Sequence, residues 1–179
     1  LTGFPLGAIR ELIPRLEAEG LIRTIPQRGM QVAQVDLSLI QQAFQFRAFI
    51  EREAVALFAA TVTDAQLAEI RAAHEAVLAR AERGPERAVV EEAQRIDWQF
   101  HDTVVDSLNN AIISNNYRVN SIKIRLIRQS LTRLEGDLVV PVMRDHLKVL
   151  DGLDARDPAR AATAMSRHIE SARLRALGL

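Results

Sequence analysis

The sequence predicts a mainly α-helical protein in which one helix and a two-stranded hairpin precede a bundle of about six helices. The composition is the first observation behind this prediction, because 48% of the 179 residues are hydrophobic while only 8 are Gly and 6 are Pro. The second is that apolar residues recur at three- and four-residue intervals along most of residues 36–179. The third is that capping and turn residues separate these periodic segments.

The composition also limits the class of protein. The 23 basic and 23 acidic residues give a formal net charge of zero, which argues against a protein whose whole surface binds nucleic acid. The absence of Cys excludes disulfides and thiolate metal ligands and fits a reducing, cytoplasmic location. No apolar run approaches the ~20 residues of a membrane span, and no signal peptide is expected.

Residues 1–35 are predicted to form a small unit of their own. Residues 3–20 read as a turn followed by a helix, with an apolar stripe and with Gly20 as the residue that ends it. Pro14 should kink or weaken this helix. Residues 21–25 and 30–35 then read as two short strands, which predicts a hairpin with a basic, Gly-containing tip.

Three short runs of this unit form a recognisable combination, and they are Ile-Arg-Glu at residues 9–11, Leu-Glu-Ala-Glu-Gly-Leu at residues 16–21, and Arg-Gly at residues 28–29. Together they resemble the DNA-binding module of GntR-type bacterial transcription regulators. A helix followed by such a wing is the second half of a winged helix-turn-helix. The resemblance implies that the helix enters the major groove of operator DNA and that the wing tip approaches the minor groove.

On this resemblance, the expected DNA-binding residues are Arg10, Arg28 and Gly29. The sequence lacks the helices that precede this pair in a winged helix, so we expect a truncated module. Residues 5–8 also offer few groups for base contact. The alternative interpretation is a remnant that no longer binds DNA in this form.

Residues 36–179 are predicted to form an all-helical domain. Asp36, the Thr63–Gln66 capping box and the Asp157–Pro158 pair mark three helix starts, and Asn110 can cap another. The predicted helices run over approximately residues 36–60, 63–83, 86–108, 111–133, 141–153 and 157–177.

Four residues of this domain are candidate metal ligands. Asp97 and His101 are four residues apart, which places them on one face of a helix, beside its apolar stripe. His146 and His168 lie on the last two predicted helices, which a short loop makes antiparallel neighbours. Three imidazoles and one carboxylate suit Zn²⁺, with Ni²⁺ or Mn²⁺ also possible. A hydrogen-bonded polar core without metal is the alternative.

Two further polar residues lie on or near apolar stripes. Arg47 is four residues before Glu51, so it either forms an ion pair along the helix or acts as a partly buried cation that binds a ligand carboxylate. His74 has no acidic residue or histidine at ligand spacing, so we interpret it as a packed or interface histidine.

The order of motifs in this domain resembles the FadR-type C-terminal domain (FCD) that follows the DNA-binding module in one GntR subfamily. The matching features are Asp-x₃-His at residues 97–101 ahead of Asn110, the 22-residue spacing from His146 to His168, Asp-Pro-x-x-Ala-Ala at residues 157–162 and Arg-His at residues 167–168. The resemblance implies that the metal forms the floor of an effector pocket. A small carboxylic acid would bind there, with Arg47 as a second anchor.

The predicted function is therefore a ligand-responsive transcription regulator and not an enzyme. Effector binding would bias the placement of DNA-binding modules in a homodimer and so change operator affinity. One alternative is a metal-dependent hydrolase, although no HExxH-type base accompanies the ligands. The other is a metal-stabilised binding module without a DNA function. The sequence identifies neither the effector nor the operator, and does not distinguish repression from activation.

Overall fold

The computed structural model describes residues 6–131 and 136–179. The chain divides into two compact units, Leu1–Asp36 and Leu37–Leu179. The described residues form a helix with a two-stranded hairpin, then six helices, which confirms the predicted fold class. None of the described helices is long and apolar enough to span a membrane.

The first unit contains α1 (Leu6–Ala18), β1 (Ile22–Ile25) and β2 (Gly29–Val32). Gly20 ends α1 as predicted, because its φ of 67° lets the chain reverse and its amide donates to the Glu17 carbonyl. The two strands pair antiparallel, with Ile22 opposite Val32, and both are shorter than predicted. Pro14 lies inside α1, and the helix continues past it.

The second unit is a bundle of six helices. They are α2 (Leu37–Thr61), α3 (Asp64–Ala81), α4 (Arg87–Asp106), α5 (Ala111–Leu131), α6 (Gly136–Asp154) and α7 (Pro158–Ala176). The predicted end of α5 at residue 133 lies outside the described residues.

Local capping explains where three of these helices begin. Thr63 and Gln66 form the predicted reciprocal capping box at α3. The Asn110 side chain accepts hydrogen bonds from two backbone amides of α5, and the Asp157 side chain accepts one from Arg160 at the start of α7. Each contact satisfies amides that the first turn of a helix would otherwise leave unpaired.

The predicted start of α6 at Pro141 is wrong, because the helix begins at Gly136 and contains Pro141. A proline at this place removes one backbone hydrogen bond. Burial offsets that loss, since Val139, Val142 and Met143 are at most 2% exposed and pack in one apolar cluster with α3 and α4.

Helices α6 and α7 approach each other closely at a glycine. A Cβ placed on Gly152 would lie 2.6 Å from the backbone nitrogen of Ala161, which is closer than atoms can pack. Gly152 therefore permits the contact between the two helices that carry His146 and His168.

Candidate metal centre

The structure brings all four predicted ligands together. Asp97 and His101 extend from α4, His146 from α6 and His168 from α7, and each is at most 3% exposed. Each offers one ligand atom, and these four atoms all lie within 4.8 Å of one another.

The distances within this cluster match a single coordination sphere. The Nε2 atoms of His146 and His168 are 3.3 Å apart. The Oδ1 atom of Asp97 lies 3.6 Å from Nε2 of His146 and 4.0 Å from Nε2 of His101. Ligand atoms ~2.1 Å from one ion lie ~3–3.4 Å apart as neighbours and ~4.2 Å apart on opposite sides. Shifts of a few tenths of an ångström would therefore complete the site.

A chain of hydrogen bonds orients His146. The Nδ1 atom of His74 lies 2.7 Å from the carbonyl oxygen of Ile70, so Nδ1 carries the proton and donates. Burial lowers the pKa of His74, which keeps the ring neutral and leaves its Nε2 as an acceptor. That Nε2 lies 3.0 Å from Nδ1 of His146, which therefore donates. The lone pair on Nε2 of His146 faces the cluster.

His74 is buried, as predicted for a packed histidine, with 1% of its surface exposed. Its contact with His146 joins residues 72 positions apart. Because helical periodicity reports only on neighbours within one helix, the sequence carried no signal for this partner.

His101 is oriented by two groups on α2. Its Nδ1 lies 2.6 Å from Oε2 of Glu51, and its Nε2 lies 2.6 Å from Nη2 of Arg47. A guanidinium can only donate, so Nε2 of His101 holds a lone pair and Nδ1 holds the proton. The contact between Glu51 and a candidate ligand was not predicted from the sequence.

Arg47 and Glu51 form the ion pair that their spacing allowed, but in a buried setting. Nε of Arg47 lies 2.5 Å from Oε1 of Glu51, and the two residues are 5% and 0% exposed. The Tyr117 hydroxyl donates to the same oxygen at 2.7 Å. Burial alone would raise the pKa of Glu51, but the Arg47 charge and His101 together hold this pKa at about 2. The carboxylate is therefore ionised at neutral pH.

Asp97 is held in its ionised form by a different arginine. Its Oδ2 accepts from Nη1 of Arg128 at 2.5 Å, which leaves Oδ1 facing the histidines. Burial opposes ionisation, but the charge of Arg128 holds the pKa of Asp97 well below its usual range. Arg128 was also absent from the predicted site, because it lies 31 positions further along the chain.

His168 completes the donor set. Burial lowers the pKa values of both His146 and His168 well below the usual range, so both rings are neutral, the form that binds metal. Among the described residues, nothing forms a hydrogen bond with the buried Nδ1 atom of His168. Three neutral imidazoles and one ionised carboxylate fit Zn²⁺, Ni²⁺ or Mn²⁺.

A small cavity of about 20 Å³ adjoins the cluster, which is room for about one water molecule. Asp97 and His168 form part of its wall, together with the side chains of Arg47, Arg128 and Arg175. Three arginine residues therefore line the cavity beside the candidate metal position.

The predicted DNA-binding residues lie in the first unit. Arg10 is an exposed residue of α1. Arg28 and Gly29 are exposed at the hairpin turn, where Gln27 and Gly29 have φ values of 63° and 93°. The turn thus holds Arg28 at the tip of the wing.

Residues 42–171 match the FCD domain family. The Nta operon transcriptional regulator of Aminobacter aminovorans is 28% identical over 120 residues, which are 67% of this chain and 55% of that protein. The chain thus spans little more than half the length of this relative.

Two solved structures are similar in fold. E. coli McbR/YncC has a TM-score of 0.77 at 18% sequence identity, and the alignment covers 90% of this chain and 79% of the McbR/YncC chain. A GntR transcriptional regulator from Rhodococcus sp. RHA1 has a TM-score of 0.75 at 21% sequence identity, and the alignment covers 98% of this chain and 81% of the Rhodococcus chain. At these identities the likeness establishes the fold alone.

Proposed function

Because the chain belongs to the FCD domain family, we propose that it is the sensory part of a bacterial transcription regulator. Its helical unit binds one divalent metal, with Zn²⁺ as the first candidate, and a small carboxylic acid effector. The observation that carries this proposal is the convergence of four buried ligand atoms within 4.8 Å, two of them on histidines whose Nε2 lone pairs are fixed by other residues. Contacts of this kind raise the metal affinity of a site.

Arg47 is the effector anchor in this proposal. The bound metal would supply positive charge that attracts a carboxylate oxygen. When the Nε2 lone pair of His101 coordinates that metal, Nη2 of Arg47 loses its present acceptor, 2.6 Å away. Arg47 is 5% exposed, so its N–H group then needs another acceptor within the cavity. An effector carboxylate provides one.

The output is operator binding by a homodimer in the cytoplasm. Arg10, Arg28 and Gly29 contact DNA through the winged helix, and paired half-sites require two copies. The effector acts through a coupling free energy, because it binds one placement of the DNA-binding modules more tightly than another.

Hydrolysis is not part of this function. The relatives named above are transcriptional regulators. The two buried carboxylates of the site are also unsuited to be free general bases, because Glu51 is paired with Arg47 and Asp97 with Arg128.

Metal titration of the purified chain tests the sensory half of the proposal. We expect one Zn²⁺ per chain by calorimetry, and loss of this binding in Asp97→Asn. Asp64→Asn is the matched control, because the Asp64 side chain is 97% exposed. Small organic acids should raise the melting temperature of the metal-loaded chain only. Equal Zn²⁺ binding by the two variants would refute the site, and turnover of model esters, lost in His101→Ala, would identify an enzyme.

Duplex binding by the natural protein that carries this chain tests the regulatory half. We expect affinity to fall with increasing salt, and Arg28→Ala to reduce the slope of that dependence. The absence of salt-dependent duplex binding would refute a regulator.

A further inference from the structure

The cavity beside the metal centre is unusually rich in positive charge. Three arginines line it, Arg47, Arg128 and Arg175, and two of them already have a carboxylate partner. Arg47 is paired with Glu51, and Arg128 with Asp97.

Arg175 differs from the other two arginines. It lies in the last turn of α7 and is half-buried, yet its side chain forms no ion pair or hydrogen bond with any residue that the structure describes. Asp145 is the acidic residue whose charge acts on it most strongly, but the Asp145 carboxylate accepts from Lys148 at 2.8 Å.

The charges at the cavity therefore do not balance. Three arginines minus two carboxylates leave a net charge of +1, and a divalent metal on the four ligands raises it to +3. Charge that is shielded from water and has no partner is unfavourable, and the half-buried Arg175 bears part of this cost. A bound monocarboxylate would lower this net charge to +2, whereas a bound dicarboxylate would lower it to +1. The dicarboxylate could also supply acceptors on both sides of the cavity.

We propose that the effector is a short dicarboxylate, with one carboxylate at the metal and Arg47 and the other held by Arg175 and the N–H groups of Arg128 that do not bind Asp97. This inference rests on the proposed sensing function and specifies its ligand. A guanidinium group binds a carboxylate through two parallel, charge-assisted hydrogen bonds. A neutral ligand group in place of that carboxylate cannot form the same charged pair. The aliphatic part of the ligand would lie against Leu138, Val142 and Ala172, which line the same cavity.

The cavity must widen to admit such a ligand, since it has a volume of about 20 Å³. Arg175 is the lining arginine best placed to move. It is half-buried where Arg47 is 5% exposed, and it lies at the end of its helix. Rotation of its long side chain would open the cavity without moving a metal ligand.

Calorimetry on the Zn²⁺-loaded chain tests this inference with matched acids of three to six carbons, such as succinate against butyrate. We expect at least one dicarboxylate to bind roughly 10-fold or more tightly than the monocarboxylate of equal length, as two charge-assisted hydrogen bonds predict. Arg175→Gln should weaken dicarboxylate binding by about 10-fold and leave Zn²⁺ and monocarboxylate binding unchanged. Arg144→Gln, which changes an exposed arginine, should alter neither.

Other outcomes separate this inference from the proposed function. Equal affinity for dicarboxylates and monocarboxylates would overturn the dicarboxylate assignment, as would an equal loss of affinity for both in Arg175→Gln. Either result would leave the proposed sensing function intact. Zn²⁺ binding with no acid binding overturns both the assignment and the effector half of the proposed function.

Discussion

The two units of the chain differ in the interactions that stabilise each of them. In the helical unit Leu37–Leu179, the residues whose burial the structure describes include an apolar core together with eight buried polar or charged side chains. In the described part of the first unit, Leu21 is the one buried residue, and β2 is exposed along its whole length. Backbone hydrogen bonds of a turn and a hairpin define that unit.

This contrast shows where substitutions should matter. In the helical unit, removing one partner of a buried polar contact leaves the other without water or a hydrogen bond, so the loss of stability is large. In the first unit, exposed side chains contribute little to stability. Four predictions test this contrast, from the largest expected effect to the smallest.

The largest expected effect is that of Glu51→Gln, which leaves the buried Arg47 charge unpaired. We expect the free energy of unfolding to fall by roughly 3–5 kcal/mol, measured by urea denaturation. The control is Glu53→Gln, because the Glu53 side chain is 75% exposed, and it should change stability by less than about 0.5 kcal/mol. Similar losses in both variants would contradict a buried ion pair.

The second prediction concerns acid. The pKa values of His74, His146 and His168 are lowered by burial, so the unfolded chain binds more protons than the folded chain below about pH 6.5. Stability should therefore decrease as the pH falls from 7.5 to 5. Glu51, with its pKa at about 2, adds a further loss on the order of 3 kcal/mol between about pH 5 and 2.

Denaturation with a chelator present, at a series of pH values, checks this dependence. Glu51→Gln should lack the part of the loss below pH 5 that Glu51 contributes, while Asp97, whose pKa is also held well below its usual range, still contributes its own part. The variant should retain the loss above pH 5. A stability that stays constant between pH 7.5 and 5 would show that the histidines are not buried as neutral rings.

The third prediction compares two helical glycines, one in each unit. Gly152→Ala places a methyl group 2.6 Å from the Ala161 nitrogen, so we expect a loss of roughly 1–3 kcal/mol and weaker metal binding. Gly7→Ala meets no atom within 4 Å, so it should be neutral or stabilise by up to about 1 kcal/mol. Thermal denaturation of the two variants distinguishes them, and equal effects would refute the close helix contact.

The fourth prediction, with the lowest upper limit, concerns His74→Leu, which removes the acceptor for Nδ1 of His146. Zn²⁺ affinity should fall about 10–100-fold, which is about 1.4–2.8 kcal/mol. In His74→Gln, an amide oxygen can take the place of the acceptor, so we expect part of the affinity to return. Unchanged affinity in the leucine variant would mean that His74 only fills space.

The sequence predicted the features that depend on local spacing. The capping box at Thr63, the cap at Asn110 and the helix start at Asp157 all follow from residues within one turn. The four candidate ligands could also be chosen, because Asp97 and His101 share a helix face and a short loop makes the helices of His146 and His168 antiparallel neighbours.

The contacts that orient those ligands could not be predicted in this way. Glu51 reaches His101 across 50 positions, and Arg128 reaches Asp97 across 31. Such pairings are set by how helices pack, and one sequence contains no signal for the partner. The start of α6 was wrong for a similar reason, because burial of Val139 and Met143 overrides the local preference of Pro141.

The central claim is that the buried cluster binds one divalent ion, and anomalous X-ray diffraction from crystals grown with Zn²⁺ tests it most directly. We expect a single strong peak in each chain, about 2.0–2.2 Å from one nitrogen each of His101, His146 and His168 and from an oxygen of Asp97. This peak should disappear in His168→Ala. Zinc-saturated crystals that show no peak at the cluster, or that hold the metal on other residues, would contradict the claim.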